Sequence, residues 1–246
     1  RIPEQYRRGG GVAPDQGRPG TVTDQLVSSI DLGPTVLNLA GLKVPDHVQG
    51  EAFLGRDLKR PRRYVYGARD RMDERYDIIR MVRNKQYKYI RNYEPLKSFY
   101  QYMNTPEKGA TMRELRRLHD AGELSPEAER LFASRKPVEE LYDCQADPHE
   151  LNNLAGDKEY HCRLSTMRNA HRRWVQDTGD LGLVPESIIT ERTRKLGSSY
   201  AILRQEGAKQ TNLLLADMAA KASSGYKALP DMHAGLSDDD AAIRYW

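Results

Sequence analysis

Residues 78–93, IIRMVRNKQYKYIRNY, show the alternation of side chains that is typical of two paired β-strands. In the first run, Ile79, Met81 and Arg83 alternate with Ile78, Arg80 and Val82, and in the second, Tyr87, Tyr89 and Arg91 alternate with Lys88, Ile90 and Asn92. Successive side chains of a strand point to opposite faces, so each run has one face suited to a core. Asn84 and Lys85, between the runs, suit a tight turn. The stretch therefore predicts a β-hairpin.

On either side of the hairpin, short runs rich in β-branched and aromatic residues predict three more strands. They are residues 62–70 (RRYVYGARD), 139–143 (EELYD) and 26–30 (LVSSI). Between the hairpin and 139–143, residues 94–137 are predicted to be a polar insertion with two short helices, 111–122 and 125–134. The second of these starts with Ser125 and Pro126, the residue types that helix starts prefer.

A short helix is predicted after Asp31, which is expected to cap it. Pro34 fits the first turn of a helix, and Gly41 is expected to end it. The helix would have a buried side formed by Val36, Leu37, Leu39 and Ala40. Asp31 is therefore interpreted as structural rather than catalytic.

A longer amphipathic helix is predicted from five side chains that share one face at helical spacing. They are Leu164, Met167, His171, Trp174 and Val175. His171 is expected to pack in the core, because the six histidines form neither HxxxH nor HExxH and no Cys-x-x-Cys occurs. Residues 211–222 (TNLLLADMAAKA) predict a further apolar helix.

Composition limits the possible function classes. The chain has 246 residues with 39 Lys and Arg against 35 Asp and Glu, a net charge of +4. This small excess is interleaved with acids, which argues against nucleic-acid binding. No apolar stretch approaches the ~18 residues that span a bilayer. Cys144 and Cys162 are the only cysteines, and one disulfide or two free thiols are both open.

One charged cluster is a candidate binding site. Residues 67–77, GARDRMDERYD, alternate arginines and carboxylates directly after a predicted strand. A guanidinium fork suits an oxyanion such as a sulfate group, and carboxylates accept hydrogen bonds from hydroxyls. The predicted substrate-binding residues are Arg69, Asp70, Arg71, Asp73 and Glu74. The alternative is a solvated loop whose ion pairs contribute little.

Three stretches together resemble the C-terminal half of a type I, formylglycine-dependent sulfatase of the alkaline-phosphatase-like superfamily. The first runs from RPGTVTDQ to VQGEAF, the second is YVYGARDRMDERYDIIRMVRNKQYKYIRNY, and the third is EELYDCQADPHELNNLA. The resemblance implies an α/β fold, α+β within this chain, with a small antiparallel sheet and packing helices. It also implies hydrolysis of sulfate esters or sulfamates, a sulfated carbohydrate substrate and a periplasmic or secreted protein.

The chain departs from the sulfatase pattern at the chemistry itself. Sulfatases convert a Cys or Ser in a Cys/Ser-x-Pro-x-Arg motif to formylglycine beside a calcium ion, and neither Cys144 nor Cys162 fits that motif. The formylglycine and the calcium ligands are expected upstream of Arg1, so no catalytic or metal residue is assigned here. Both ends of the sequence are expected to be cuts from a longer protein. The chain alone is expected to be inactive.

The predicted organisation has two parts. Residues 1–196 would be the end of the sulfatase domain, with 1–60 closing the main sheet domain and 61–180 forming an antiparallel subdomain. Residues 197–246 resemble the start of HEAT-like helical repeats, a possible surface for a protein partner. Two other functions stay open: a phosphodiesterase or phosphonate hydrolase of the same superfamily, and a non-catalytic binding module.

Overall fold

The computed structural model describes residues 22–56 and 58–246. Four strands form one antiparallel sheet in the order β1-β2-β3-β4. The strands are β1 (Val65–Arg69), β2 (Ile79–Arg83), β3 (Tyr87–Asn92) and β4 (Glu139–Asp143). The predicted hairpin is confirmed as β2 and β3, and the predicted strands near 62–70 and 139–143 are confirmed as β1 and β4. The predicted fold class is also confirmed.

Nine α-helices occur within the described residues. They are α1 (Leu32–Leu39), α2 (Asn104–Glu107), α3 (Ala110–Ala121), α4 (Pro126–Glu129), α5 (His161–Thr178), α6 (Glu186–Leu196), α7 (Ala208–Ala222), α8 (Leu229–Gly235) and α9 (Ala241–Tyr245). The amphipathic helix predicted around His171 is α5, and His171 is buried in it as expected. The helix predicted from Ser125 is shorter than expected, because α4 continues as a 3-10 turn at 130–132.

The chain divides into two compact units. The described part of the first comprises residues 22–56, 58–66 and 83–87, and the second comprises residues 67–82 and 88–246. Within the described residues, no helix combines the length and the apolar character needed to cross a bilayer. Cys144 and Cys162 are both free thiols, and Cys162 is exposed.

In the first unit, the segment around Asp31 corrects two predictions. Residues 26–28 have no regular structure and Ser29–Asp31 is a 3-10 turn, so the strand predicted at 26–30 is wrong. Asp31 precedes α1 but its side chain does not cap that helix. Instead its carboxylate accepts from the backbone N–H of Ser28 at 2.7 Å and of Glu51 at 2.9 Å, and from Nη2 of Arg62 at 2.7 Å. The buried carboxylate of Asp31 therefore connects Ser28, Glu51 and Arg62 instead of capping α1.

The buried side expected for α1 is also wrong. Val36 is 65% exposed, and the buried positions of this helix are Pro34 and Thr35. The Thr35 hydroxyl donates to the Asp31 carbonyl at 2.6 Å, so the buried side of this helix is the side that contacts Asp31. The end of the helix is as predicted, because Gly41 takes a positive φ of 73° that favours glycine.

The core of the second unit draws on distant parts of the chain. Its buried side chains are Ile78, Tyr93, Val175, Leu183, Val184, Ile202, Leu203, Leu215, Ala219, Ala242 and Ile243. Side chains from both sides of residue 197 therefore share one core. The domain boundary predicted there, and the HEAT-like character of residues 197–246, stay predictions.

A buried ion pair ties the insertion 94–137 to the sheet. Lys136 Nζ lies 2.5 Å from Oδ2 of Asp77, and both side chains are fully buried. The second carboxylate oxygen of Asp77 accepts from the backbone N–H of Ile78 at 3.0 Å. Because each charge is met by its partner, removing either one would leave an uncompensated charge in the interior.

Candidate functional site

The predicted cluster 67–77 folds back on itself in a tight turn. Met72 and Arg75 form an isolated bridge in which each backbone N–H donates to the other's carbonyl at 3.0 Å. Asp73 and Glu74 lie at the tip of this turn and are exposed. Asp73 has φ of 51°, the left-handed region that Asp tolerates better than most residues. The turn thus presents two carboxylates to solvent.

The turn is held in place by contacts to the insertion. Arg75 Nε donates to the carbonyl of Gln101 at 3.0 Å, and its guanidinium lies 4.7 Å from the ring centre of Tyr100. Glu74 Oε1 accepts from the backbone N–H of Asn104 at 3.4 Å. Glu74 is therefore partly used to anchor its own loop.

Arg71 is used within the protein. Its Nη2 donates to the carbonyls of Val184 at 2.7 Å and Gly182 at 3.3 Å, and its guanidinium lies 5.2 Å from the ring centre of Tyr76. Its Nε is buried without a hydrogen-bond partner among the described residues. Arg71 thus ties the candidate loop to residues 182–184.

A buried arginine next to this loop was not singled out from the sequence. The Arg80 side chain is 0% exposed. Its Nη1 donates to Oδ1 of Asp70 at 2.7 Å, while Nε and Nη2 donate to the two oxygens of Asp180 at 2.5 and 2.8 Å. Burial alone would lower the pKa of Arg80, but the hydrogen bonds and charges of Asp180 and Asp70 raise it, so the guanidinium stays charged. Asp70, a predicted ligand-binding residue, is thus half of a structural network.

Glycine is required where this network meets the chain. A Cβ at Gly182 would lie 2.0 Å from Nη2 of Arg80 and 2.4 Å from Oδ2 of Asp70. Asp180 also accepts from the Gly182 N–H at 3.1 Å, which orients the 3-10 turn Leu181–Leu183. Of the signals in the sequence, only the charge at position 80 on a core-facing side of the predicted hairpin pointed to such a network.

Two of the five predicted residues are left for a ligand. The guanidinium of Arg69 donates no hydrogen bond to a described residue, and the carboxylate of Asp73 accepts none. Arg69 lies at the end of β1 and Asp73 at the tip of the turn that follows. A free guanidinium can bind an oxyanion and a free carboxylate can accept from a hydroxyl, but neither group supplies a nucleophile.

Comparison with known proteins agrees with the resemblance. Residues 12–120 match the family described as N-sulphoglucosamine sulphohydrolase, C-terminal. An ulvan-active sulfatase of Formosa agariphila is 41% identical over 179 residues, covering 73% of this chain and 30% of that protein. This chain therefore contains a segment similar to the C-terminal domain of sulfatases. A second ulvan-active sulfatase of the same organism is 30% identical over 186 residues, covering 71% of this chain and 34% of that protein.

The part of this chain that aligns with the two curated relatives, called the sulfatase segment below, spans about a third of the length of each relative. Among solved structures, a 2-O GAG sulfatase is 26% identical and is similar over 67% of this chain and 28% of that chain, with a TM-score of 0.45. The family match includes the candidate loop 67–77 and the hairpin, and it ends before β4 and the helices that follow.

The described part of the sulfatase segment offers no metal site. Within residues 22–56 and 58–246, no group of three or more His, Cys, Asp or Glu is arranged to hold a metal ion. The described residues therefore offer no ligand set for a calcium ion.

Proposed function

We propose that the protein containing this sulfatase segment hydrolyses sulfate esters, or sulfamates, of a sulfated glycan. The observation that carries the proposal is the 41% identity over 179 residues to a protein named an ulvan-active sulfatase. This segment would serve as scaffold, and its loop 67–77 would form part of the rim that receives the sulfated sugar. A periplasmic or secreted location belongs to the same proposal.

The rim role rests on how the loop is built. Arg69 would pair with an anionic group of the sugar, and Asp73 would accept from a hydroxyl. Asp70 and Arg71 would act indirectly, because their contacts to Arg80 and to residues 182–184 fix the position of the loop. Sulfatases generally use a formylglycine and a divalent metal ion. We infer that these reside on residues other than those described here.

The exposed side of α1 supports a larger protein. Leu32, Val36 and Leu42 are 57%, 65% and 59% exposed. Leu32 and Val36 lie one turn apart on α1 and Leu42 follows its end, and exposed apolar side chains grouped in this way are typical of a face that another part of a protein covers. The curated relatives are about three times as long as the segment they share with this chain, which provides such a part.

The proposal is tested on the purified full-length protein. Ulvan, chemically desulfated ulvan, an aryl sulfate and an aryl phosphodiester are supplied separately, and released sulfate and phosphate are measured. Sulfate release from ulvan or another sulfated glycan, without phosphate release, is expected. Hydrolysis of the phosphodiester alone would show the phosphodiesterase alternative instead. Turnover by the 246-residue chain alone would contradict the assignment of scaffold and rim.

A further inference from the structure

A cleft in the second unit lies outside the candidate loop. It has a volume of about 420 Å³ and is lined by side chains of β3, β4, α5, α7 and α8. Tyr89, Tyr93 and Val175 are among its lining residues but are only 0%, 3% and 2% exposed, so they offer a ligand almost no surface. Clefts of about 300–1,000 Å³ suit small-molecule ligands, so this one has room for one or two sugar rings.

The carboxylates of the cleft are all paired with cations. Glu139 accepts two hydrogen bonds from Arg168 at 2.6 and 2.7 Å. Burial alone would raise the pKa of Glu139, but its hydrogen bonds to Arg168 and Tyr89 lower it, so it stays ionised and paired. Asp217 and Asp231 both pair with Lys221, at 3.0 and 2.9 Å.

Three cations of the cleft keep unused capacity. Arg172 and Lys227 line it, are exposed, and form no ion pair with a described residue. Arg91 is 8% exposed, and its Nη2 donates to the Ala220 carbonyl at 2.6 Å and to the Ser223 hydroxyl. Its Nη1 lies 3.9 Å from Glu139, and its Nε has no hydrogen-bond partner among the described residues. A buried donor without a partner favours an anion that can reach it.

Neutral groups of the cleft do not oppose an anion. His171 lines it, and burial together with the charge of Arg91 lowers the pKa of His171 to about 4. The imidazole is therefore neutral near pH 7.

We propose that this cleft binds a sulfated saccharide, with the sulfate group held by Arg91, Arg172 and Lys227. The chemical class of the ligand rests on the proposed function. The anion preference rests on the cleft itself. The shared chemistry is the sulfate group, carried on a sugar or free in solution, and the test separates these two sources.

The test measures binding by calorimetry in the full-length protein at physiological salt. The probe is a disaccharide 6-sulfonate, in which a C–S bond replaces the ester so that turnover cannot consume it. The unsubstituted disaccharide and sodium sulfate are measured in parallel. The variant Arg172→Gln with Lys227→Gln removes the two exposed cations. Its matched control is Arg173→Gln with Lys209→Gln, which removes equal charge from exposed residues outside the cleft.

We expect the cleft variant to bind the sulfonate about fivefold more weakly, since it loses two charge contacts, and the control to stay within about twofold. Equal affinity of the two variants, or equal affinity for the unsubstituted disaccharide, would overturn the proposal. Tight binding of sodium sulfate alone would replace the saccharide with the free anion. These readouts do not involve turnover, so they fail independently of the proposed function, which is refuted by absent sulfate release.

Discussion

Replacing Gly182 by alanine tests whether the Arg80 network is as rigid as its contacts indicate. The added Cβ would lie 2.0 Å from Nη2 of Arg80 and 2.4 Å from Oδ2 of Asp70, far inside van der Waals contact. Elsewhere the end of an arginine could swing away at little cost. Here Arg80 is 0% exposed and donates to both Asp70 and Asp180, so it can move only by giving up one of them.

The expected cost follows from these contacts. Breaking a buried ion pair by removing one partner costs about 3–5 kcal/mol. The Asp70 side chain is 31% exposed, so water compensates for part of the loss and the lower figure applies. For a chain of this size, ~1 kcal/mol shifts the melting temperature by roughly 2–4 °C, so a loss of about 3 kcal/mol lowers it by roughly 6–12 °C.

The measurement is urea and thermal unfolding of wild type and variant, followed by circular dichroism. Gly156→Ala is the matched control, because a Cβ there meets nothing within 4 Å and the residue is exposed. Such a substitution stabilises slightly by restricting the unfolded chain. If Gly182→Ala came within about 1 kcal/mol of that control, Arg80 would have room to move and the network would not fix the loop.

Two further predictions concern the loop and the core. In the full-length protein, Arg69→Ala is expected to raise KM for a sulfated sugar more than it lowers kcat, without changing the melting temperature. Arg71→Ala is expected to change KM in the same way but also to lower the melting temperature, because two backbone carbonyls lose their hydrogen-bond donor. Unchanged kinetics in both variants would contradict the rim role. The pKa of His171 is lowered from 6.5 to about 4, so the unfolded chain binds the extra proton first as pH falls. Folding stability should therefore drop by about 1.4 kcal/mol per unit between pH 6.5 and 4, and His171→Phe should lose that part of the slope; equal slopes in urea titrations would contradict it.

The elements that could be predicted from the sequence are those with local signals. The hairpin β2–β3 was predicted from the alternation of its side chains and its polar turn, and α5 was predicted from the helical spacing of its apolar side chains. His171 was correctly placed in the core because it lies on the apolar face of that helix. Each of these depends on neighbours within a few residues.

The errors and omissions come from long-range polar contacts. Asp31 looked like a helix cap, but its carboxylate binds Glu51 and Arg62, which lie 20 and 31 residues away. Residues 26–30 form no strand, and the segment ends instead in the 3-10 turn that carries Asp31. Arg80 and Asp180 are 100 residues apart, and nothing in either local sequence indicates the other. In the predicted site, this is why Asp70 was interpreted as a ligand-binding residue.

Residues 69–77 are contiguous in sequence, yet their positions are set by the segment 180–184 through Arg71 and Arg80. Anyone exchanging this loop between related enzymes to change substrate preference would have to transplant both pieces. Grafting residues 69–77 alone would place a foreign residue 70 opposite Arg80. A loop that looks interchangeable is, physically, one half of a two-part module.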